Sequence, residues 1–247
     1  MINIKTQEEI KLMKRAGQIV YKTHQYLKEY LKPGVTTNQL NKLAEEYILS
    51  QKAKPSFKGL GGYPKTICTS INEEIVHGVP SDYKLKENDV ISIDIGACYQ
   101  GYHGDSAYTY IIGKGTKEAN YLVNHTEKAL YEGLKIIREG IRLGDISHQI
   151  ETYANKYKLS IVRGLVGHGI GKNLHEVPDV PNYGHKGMGP LLKAGMTLAI
   201  EPMLTLGSEQ INLTSKWVIT TQDKSLAAHF EHTVLVTKEG YEILTKG

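Results

Sequence analysis

The chain has 247 residues, 40% of them hydrophobic, and a formal net charge of +4. This length supplies one large domain or two small ones, and so small a basic excess argues against sequence-specific nucleic-acid recognition as the main function. The two cysteines lack CxxC spacing, which excludes a zinc knuckle or a disulfide framework and favours a reducing cytoplasm. No apolar run approaches about 18 residues, so we expect a cytoplasmic protein without a membrane segment.

Two amphipathic helices open the sequence. Residues 6–31 place apolar side chains at spacings of three, four and seven residues, after a Thr-x-x-Glu capping box. A proline and a glycine end this helix, and a second one is predicted over residues 36–50, with Gln39 in the capping-box position after Thr36. A glycine-rich loop follows over residues 54–63, without a phosphate-binding pattern. Residues 64–70 predict a strand.

The loop over residues 72–80 carries His77. Alone, a histidine of this kind is more often a surface or hydrogen-bonded side chain than a catalytic one.

Residues 90–112 predict a β-hairpin that contains two aspartates. Its β-branched flanks surround a glycine-containing turn, and a turn at Tyr99-Gln100 would place Asp94 directly opposite Asp105. Side chains so placed lie about 5 Å apart, where like charges destabilise the sheet. A metal ion would remove the conflict. A pair of solvated aspartates on an exposed edge is the alternative.

The second part of the chain contributes further candidates. Helices are predicted over residues 118–138 and 144–157, and His168 follows between glycines. Seven residues later comes His175. The apolar strand over residues 196–200 runs directly into Glu201, and Glu231 introduces the last strand.

The chain contains an internal repeat with an offset of about 106 residues. Residues 32–35 parallel 138–141, and residues 85–94 parallel 192–201, which puts Glu201 in the place of Asp94. We therefore expect one domain over residues 1–247, built from two related halves that divide near residue 115. Chance similarity is the alternative.

Such halves, packed about a pseudo-two-fold axis, would bring four carboxylates together: Asp94, Asp105, Glu201 and Glu231. Four buried acids cannot all stay ionised without cations, and two divalent ions would neutralise them. With His168 the set is oxygen-rich with one imidazole, which suits manganese, iron, cobalt or zinc. Two metals that share a hydroxide make hydrolysis the natural chemistry.

The motifs together resemble those of the type I methionine aminopeptidases, from about residue 3 to the C-terminus. The stretches that carry the resemblance are Asn72-Glu73-Glu74 with His77-Gly78 and Pro80, Asp94-Ile95-Gly96 with Gly104-Asp105, Gly167-His168-Gly169-Ile170-Gly171 with His175-Glu176, Ala199-Ile200-Glu201-Pro202, and Phe230-Glu231-His232-Thr233. The resemblance implies the α+β pita-bread fold. In this fold, two pseudo-symmetric α/β halves with antiparallel sheet surround a dinuclear metal site.

The resemblance also implies residue roles. Asp94, Asp105, His168, Glu201 and Glu231 would be the metal ligands, with Asp105 and Glu231 bridging two divalent ions (cobalt, manganese, iron or zinc). Glu201 would also act as the general base.

The two loop histidines would act on the substrate. His175 would stabilise the oxyanion, and His77 would hydrogen-bond the substrate backbone near the leaving group. The implied activity is removal of the initiator methionine from nascent chains and N-terminal Met peptides, with a small second residue preferred. A monomer is expected, with the ribosome as a candidate partner.

The methionine side chain needs a snug apolar slot. The candidates for lining it are Tyr63, Cys68, Trp217 and Phe230. Leu60 and Leu174 stand where the resemblance leads us to expect aromatic side chains, and a leucine also suits a thioether.

Two other classes compete with this interpretation. Another pita-bread hydrolase, such as a proline-directed peptidase, usually carries a separate N-terminal domain for which this chain has no room. A non-catalytic member that binds protein or RNA would be expected to lack ligands, whereas all five ligand positions are present here.

Overall fold

The computed structural model describes residues 2–247 as four α-helices and fifteen short strands. The helices are α1 (Gln7–Lys28), α2 (Thr37–Ser50), α3 (Lys117–Leu134) and α4 (Leu143–Lys156). The strands are β1 (Lys54–Pro55), β2 (Ile67–Ile71), β3 (Glu74–Val76), β4 (Val90–Tyr99), β5 (Tyr102–Ile111), β6 (Ser160–Ile161), β7 (Gly167–Gly169), β8 (Glu176–Val180), β9 (Thr197–Ile200), β10 (Met203–Thr205), β11 (Ile211–Leu213), β12 (Ile219–Thr221), β13 (Ala227–His229), β14 (His232–Val236) and β15 (Tyr241–Ile243). Among these residues, no helix has both the length and the apolar character that a membrane span needs.

Both helices of the first half begin at the predicted capping boxes. The Thr6 hydroxyl accepts a hydrogen bond from the Glu9 N–H at 3.3 Å, and the Glu9 carboxylate accepts one from the Thr6 N–H at 2.8 Å. Thr36 and Gln39 repeat the arrangement at 3.1 and 2.8 Å. Each box satisfies two backbone N–H groups that a helix start otherwise leaves unpaired.

The first half packs α1 and α2 against a sheet centred on β4. Strand β5 pairs along one edge of β4, whereas β2 and β1 pair in turn along the other edge. The apolar stripes of the two helices contribute Ile19 and Leu40 to a core that includes Ile93, and all three are fully buried. This burial fixes β4 as the rigid base of the site.

The second half repeats this plan with α3 and α4 over a five-stranded sheet. The strand order is β15-β14-β9-β7-β8, and every pairing is antiparallel. Leu122 and Ile150 from the helices pack in one core with Leu198 and Val234 from the sheet. Each half is therefore two helices on one face of an antiparallel sheet.

The backbone confirms the predicted pseudo-symmetry of the halves. Gly34 and Gly140 both have φ of 91°, a conformation that favours glycine. The Gly34 N–H donates to the Leu85 carbonyl at 2.8 Å, and the Gly140 N–H donates to the Leu192 carbonyl at 3.0 Å. The same turn therefore recurs at the offset seen in the sequence.

The predicted hairpin forms, but its register is two residues away from the prediction. Asp94 pairs with Ala107 rather than with Asp105, because the turn falls at Gln100-Gly101 instead of Tyr99-Gln100. Both turn residues have positive φ, 49° and 85°, as a two-residue hairpin turn of the primed type requires. A shift of two residues keeps both aspartates on the same face of the sheet, so they become diagonal neighbours.

The halves are joined by hydrogen bonds between β5 and the segment that enters β14. The Thr233 hydroxyl accepts from the Asp105 N–H at 3.0 Å and donates to the Asp105 carbonyl at 2.8 Å. Two residues after Asp105 in β5, the Ala107 carbonyl accepts a hydrogen bond at 2.9 Å from the N–H of Glu231, which lies two residues before Thr233. These bonds set Asp105 and Glu231 side by side, although 126 residues separate them in the sequence.

Replacing Thr233 with valine should lower the free energy of unfolding by about 2 to 3 kcal/mol, because the buried Asp105 N–H loses its acceptor. The matched control is Thr69→Val, since the buried Thr69 hydroxyl has no hydrogen-bond partner. Urea denaturation of the two variants measures the difference. Equal effects of both substitutions would show that the joint between the halves does not depend on this hydroxyl.

Candidate metal centre and substrate cavity

A cavity of about 600 Å³ opens between the two halves. Its polar lining comes from both of them: His77, Asp94 and Asp105 from the first half, and His168, His175, Glu201 and Glu231 from the second. The structure therefore brings together all seven residues that the sequence nominated as metal ligands or catalytic groups.

The four carboxylates lie within strands or next to a strand end, and all four line the cavity. Asp94 is within β4 and Asp105 within β5, whereas Glu201 directly follows β9 and Glu231 directly precedes β14. Asp105 and Glu231 are only 3% and 2% exposed. One buried oxygen on each of Asp94, Asp105 and Glu231 has no hydrogen-bond partner. Such orphaned oxygens in a native fold call for a cation.

Burial shifts the acid–base behaviour of the whole cluster. It raises the pKa of Asp94 to about 7 and that of Glu201 to about 8. Burial, reinforced by neighbouring carboxylates, raises the pKa of Asp105 and Glu231 well above the usual range. All four groups can therefore be ionised near neutral pH only when bound cations compensate the charge.

His168 is oriented as a ligand by its own strand. Its Nδ1 lies 2.8 Å from the Gly169 carbonyl oxygen, so Nδ1 carries the proton and donates, leaving the Nε2 lone pair free. Nε2 lies 3.7 Å from a Glu201 carboxylate oxygen. Burial lowers the pKa of His168 to about 4, which keeps the ring neutral. Ligand atoms of Asp105, His168 and Glu231 all lie within 4.8 Å of one another. This set fits a divalent transition-metal ion.

The sequence reasoning missed one histidine in the cluster. His229 is 2% exposed, and its Nε2 lies 3.4 Å from Glu201 Oε2. Glu201, His229 and Glu231 form a second group with ligand atoms within 4.8 Å of one another. The available signal was its position two residues before Glu231, which in extended chain places both side chains on the same side.

The two loop histidines face the space above the carboxylates. His77 has φ of 59°, a conformation uncommon for a residue with a side chain, and burial lowers its pKa to about 4. The His175 ring packs edge-on against His168, with ring centroids 4.4 Å apart. Burial also lowers the pKa of His175, so both rings are neutral donors or acceptors at neutral pH.

Three of the four slot candidates line the cavity. Tyr63 and Trp217 meet edge to face with centroids 5.4 Å apart, and Cys68 lies with them. Leu60 and Leu174 complete the apolar wall.

The structure does not place Phe230, the fourth candidate, among the residues that line the cavity. Phe230 packs in the core of the second half, against the edge of Tyr108 at a centroid distance of 6.2 Å. The reason is alternation, because Phe230 lies between His229 and Glu231 and points away from the cluster that they face.

The fold and the donor set together define a metallopeptidase site, and known proteins agree. A model of metallopeptidase family M24 matches residues 11–238. Methionine aminopeptidase 1 of Bacillus subtilis is 49% identical over the full length of both chains. The methionine aminopeptidase of Clostridium acetobutylicum is 50% identical over 99% of each chain. The crystal structure of the Thermotoga maritima methionine aminopeptidase superimposes with a TM-score of 0.98 at 45% identity, covering both chains completely.

The chain belongs to metallopeptidase family M24 and, within it, to the methionine aminopeptidases. The assignment from the motifs and the α+β pita-bread fold are thereby confirmed. The prolidase of Pyrococcus furiosus, at 24% identity and a TM-score of 0.80, shares the fold alone.

Without metal, the protein should lose stability as the pH rises from about 6.5 to about 8, the pKa to which burial raises Glu201. The raised pKa values of Asp94 and Glu201 mean that the folded chain holds protons which the unfolded chain has already released. The free energy of unfolding then falls with pH, by up to about 1.4 kcal/mol per pH unit for each such proton. The buried histidines act in the opposite direction, but only below their unfolded pKa of about 6.5.

Urea unfolding in EDTA at several pH values measures this slope. Glu201→Gln replaces one titrating carboxyl with an uncharged amide of nearly equal size. The free energy of unfolding of this variant should therefore fall less steeply with pH than that of the unsubstituted protein. Identical slopes for the two proteins would contradict the assignment of a raised pKa to Glu201.

Proposed function

We propose that the protein removes methionine from the N-terminus of peptides and nascent proteins by hydrolysis assisted by two divalent metal ions, with a small second residue preferred. The observation that carries this proposal is that one cavity contains two features side by side, a cluster of metal-binding donors and an apolar slot. A cluster of carboxylate and imidazole donors forms its floor, and an apolar slot around Tyr63, Cys68 and Trp217 opens beside it.

Five side chains would hold the ions: Asp94, Asp105, His168, Glu201 and Glu231. Asp105 and Glu231 would bridge the two ions, and the membership of Glu231 in both candidate groups supports this role for Glu231. Cobalt, manganese, iron or zinc suits this mixture of oxygen and nitrogen. Such ions, when bound, lower the pKa of water and polarise a carbonyl group.

The chain's own residues would handle the proton and the substrate. Glu201 would take the proton of the attacking water, because its carboxylate reaches the donor cluster while remaining partly accessible from the cavity. His175 would donate a hydrogen bond to the oxygen that becomes negative. His77 would hydrogen-bond the substrate backbone on the leaving-group side. The open space beside these groups would admit an extended peptide.

The slot suits a thioether side chain. Burial raises the pKa of the Cys68 thiol, so this group stays neutral and behaves as a small apolar surface. The Tyr63 hydroxyl donates to the carbonyls of Ile67 and Gly78 at 3.1 and 3.0 Å, which fixes the ring. A rigid slot of this kind favours an unbranched apolar residue over β-branched or charged ones.

We further infer that the chain works as a monomer in the cytoplasm, on N-terminal Met peptides and on nascent chains, with the ribosome as a docking partner. Residues 1–247 would act as one domain whose halves divide near residues 115–116, because neither half alone supplies a complete donor set. The two free cysteines fit a reducing compartment.

Chelation should abolish cleavage, and Mn²⁺, Co²⁺ or Fe²⁺ should restore it. The assay is release of the first residue from Met-Ala-Ser, with Leu-Ala-Ser and an Xaa-Pro peptide as comparisons. Full-rate cleavage of Met-Ala-Ser in excess EDTA would disprove the metal mechanism. Faster release from the Xaa-Pro peptide would instead favour a proline-directed peptidase, and no release from any peptide would favour a binding protein.

His175→Ala should keep the metal content unchanged and lower kcat by roughly 100-fold, equivalent to about 3 kcal/mol of lost oxyanion stabilisation. Elemental analysis of the purified variant and steady-state kinetics provide the two readouts. His148→Ala is the matched control, because His148 is exposed on α4 away from the cavity. Loss of metal by the His175 variant would mean that His175 is a ligand.

A further inference from the structure

We propose that Lys5 is a positioning residue for His175 and acts on it through a buried ion pair with Glu176. This inference rests on the proposed function, in which His175 stabilises the oxyanion, and adds a remote residue to that machinery. Lys5 and Glu176 are 171 residues apart in the sequence. Neither of them lines the cavity, so any effect on the reaction has to pass through a neighbour.

The ion pair is unusual because it buries a lysine. The side chains of Lys5 and Glu176 are 5% and 7% exposed, and Lys5 Nζ lies 2.8 Å from Glu176 Oε2. Lysine is almost never buried unless it is paired. A buried ion pair adds little net stability, since the loss of hydration at both charges offsets their attraction. Its presence here is better explained by the fixing of one arrangement of the chain.

The Glu176 carboxylate ties two segments together. Its Oε2 accepts from Lys5, whereas its Oε1 accepts from the Asn173 N–H at 3.1 Å. Burial raises the pKa of Glu176, but its hydrogen bonds to Lys5 and to the Asn173 N–H outweigh burial and lower the pKa overall. The ionised carboxylate therefore closes the loop over residues 173–176, and His175 lies within this loop.

The backbone of Lys5 is itself anchored. Its N–H donates to the Gly195 carbonyl at 2.8 Å, and the Gly195 N–H donates to the Val236 carbonyl at 2.9 Å. Gly195 lies just before β9, which Glu201 directly follows. The ion pair thus ties the His175 loop to the strand that leads into Glu201.

Gly171 leaves the space that this ion pair occupies. A Cβ atom at Gly171 would lie 2.5 Å from Lys5 Cε and 2.7 Å from Glu176 Oε1. Any side chain there would displace the pair. Gly171 ends the glycine-rich stretch around His168, so one motif supplies both a candidate ligand and the room for the ion pair.

The direction of the His175 ring depends on this backbone. The ring lines the cavity and contacts the His168 ring, with centroids 4.4 Å apart. A donor to an oxyanion is effective only when it is placed in advance, and a displacement of about 1 Å can cost roughly 100-fold in rate. Because Glu176 is the next residue along the chain, releasing it from Lys5 would let His175 move.

Lys5→Met keeps most of the apolar stem and removes the ammonium group. We expect kcat for Met-Ala-Ser to fall roughly tenfold with KM and metal content nearly unchanged, because the donor is misplaced rather than lost. Steady-state kinetics and elemental analysis measure these quantities. Lys14→Met is the matched control, since the ion pair of Lys14 with Glu242 has the same distance of 2.8 Å but is 43% and 46% exposed. This control should leave kcat unchanged.

A double-mutant cycle tests whether Lys5 acts through His175. In the His175→Ala background, Lys5→Met should lower kcat by less than about twofold, since the donor that Lys5 positions is already absent. A purely structural role would lower kcat by the same factor in both backgrounds, and that outcome would overturn the proposal.

A second variant covers the case in which Lys5→Met folds poorly, because this substitution leaves a buried carboxylate unpaired. Lys5→Met combined with Glu176→Gln carries no buried charge, and the new amide can still accept from the Asn173 N–H. We expect the combined variant to regain stability in urea but not kcat, because the link to the N-terminal segment stays broken. Recovery of kcat to the level of the unsubstituted protein would contradict the proposal.

A measurement without substrate separates this proposal from the proposed function. The protein is labelled with ¹⁵N in its histidine rings and saturated with Zn²⁺, and the ring signals are assigned by comparison with His175→Ala and His77→Ala. Lys5→Met should shift or broaden the signals of His175 and leave those of His77 unchanged. If it does so while the unsubstituted protein cleaves no peptide, the positioning role stands and the proposed function fails. If Met-Ala-Ser is cleaved and the His175 signals do not change, the function stands and the positioning role fails.

Discussion

The constraint on which the rest of the structure depends is the burial of four carboxylates in one place. Asp94, Asp105, Glu201 and Glu231 repel one another in a region from which water is largely excluded, and their pKa values rise accordingly. Backbone hydrogen bonds within β4 and β5 lower the pKa of Asp94 and Asp105, but they do not offset this cost. Neutral hydrogen bonds between the halves, above all those of Thr233 to Asp105, keep the acids together against their repulsion. Protons relieve this repulsion in the absence of metal, whereas bound cations would relieve it with the carboxylates ionised, and stability is given up for function.

Pseudo-symmetry explains why the acids meet. Each half builds two helices over an antiparallel sheet, and each places one acid within or directly after an apolar strand and another within or directly before a second strand. The halves then pack with β5 antiparallel to the segment that leads into β14, so corresponding positions face each other across the joint. A site of this kind exists in neither half alone. Removing either half removes two carboxylates and, with the second half, every imidazole of the donor groups.

Local signals in the sequence were enough for the four helices, the hairpin and the five candidate ligands that line the cavity, but not for register or for side-chain direction. The capping boxes at Thr6 and Thr36 mark helix starts because they act within a single turn. The hairpin turn was placed one residue early, since the choice between Tyr99-Gln100 and Gln100-Gly101 depends on which pair adopts positive φ. The side-chain directions of Phe230 and His229 escaped the sequence analysis for one reason. Alternation along an extended chain shows which residues share a side, but not which of the two sides faces the cavity.

Close backbone contacts explain why the site is held open rather than filled. A side chain at Gly167 would overlap the Ala199 carbonyl and press on the Glu201 side chain, so glycine lets β7 approach β9 closely enough to bring His168 beside Glu201. At Gly96, beside Asp105 in the hairpin ladder, a side chain would meet Phe57. At these two positions, the absence of a side chain lets the backbone pack closely without displacing the donor side chains. Because packing and neutral hydrogen bonds already fix the donor positions, a binding cation has mainly to displace protons, and its affinity should depend more on pH than on any rearrangement of the chain.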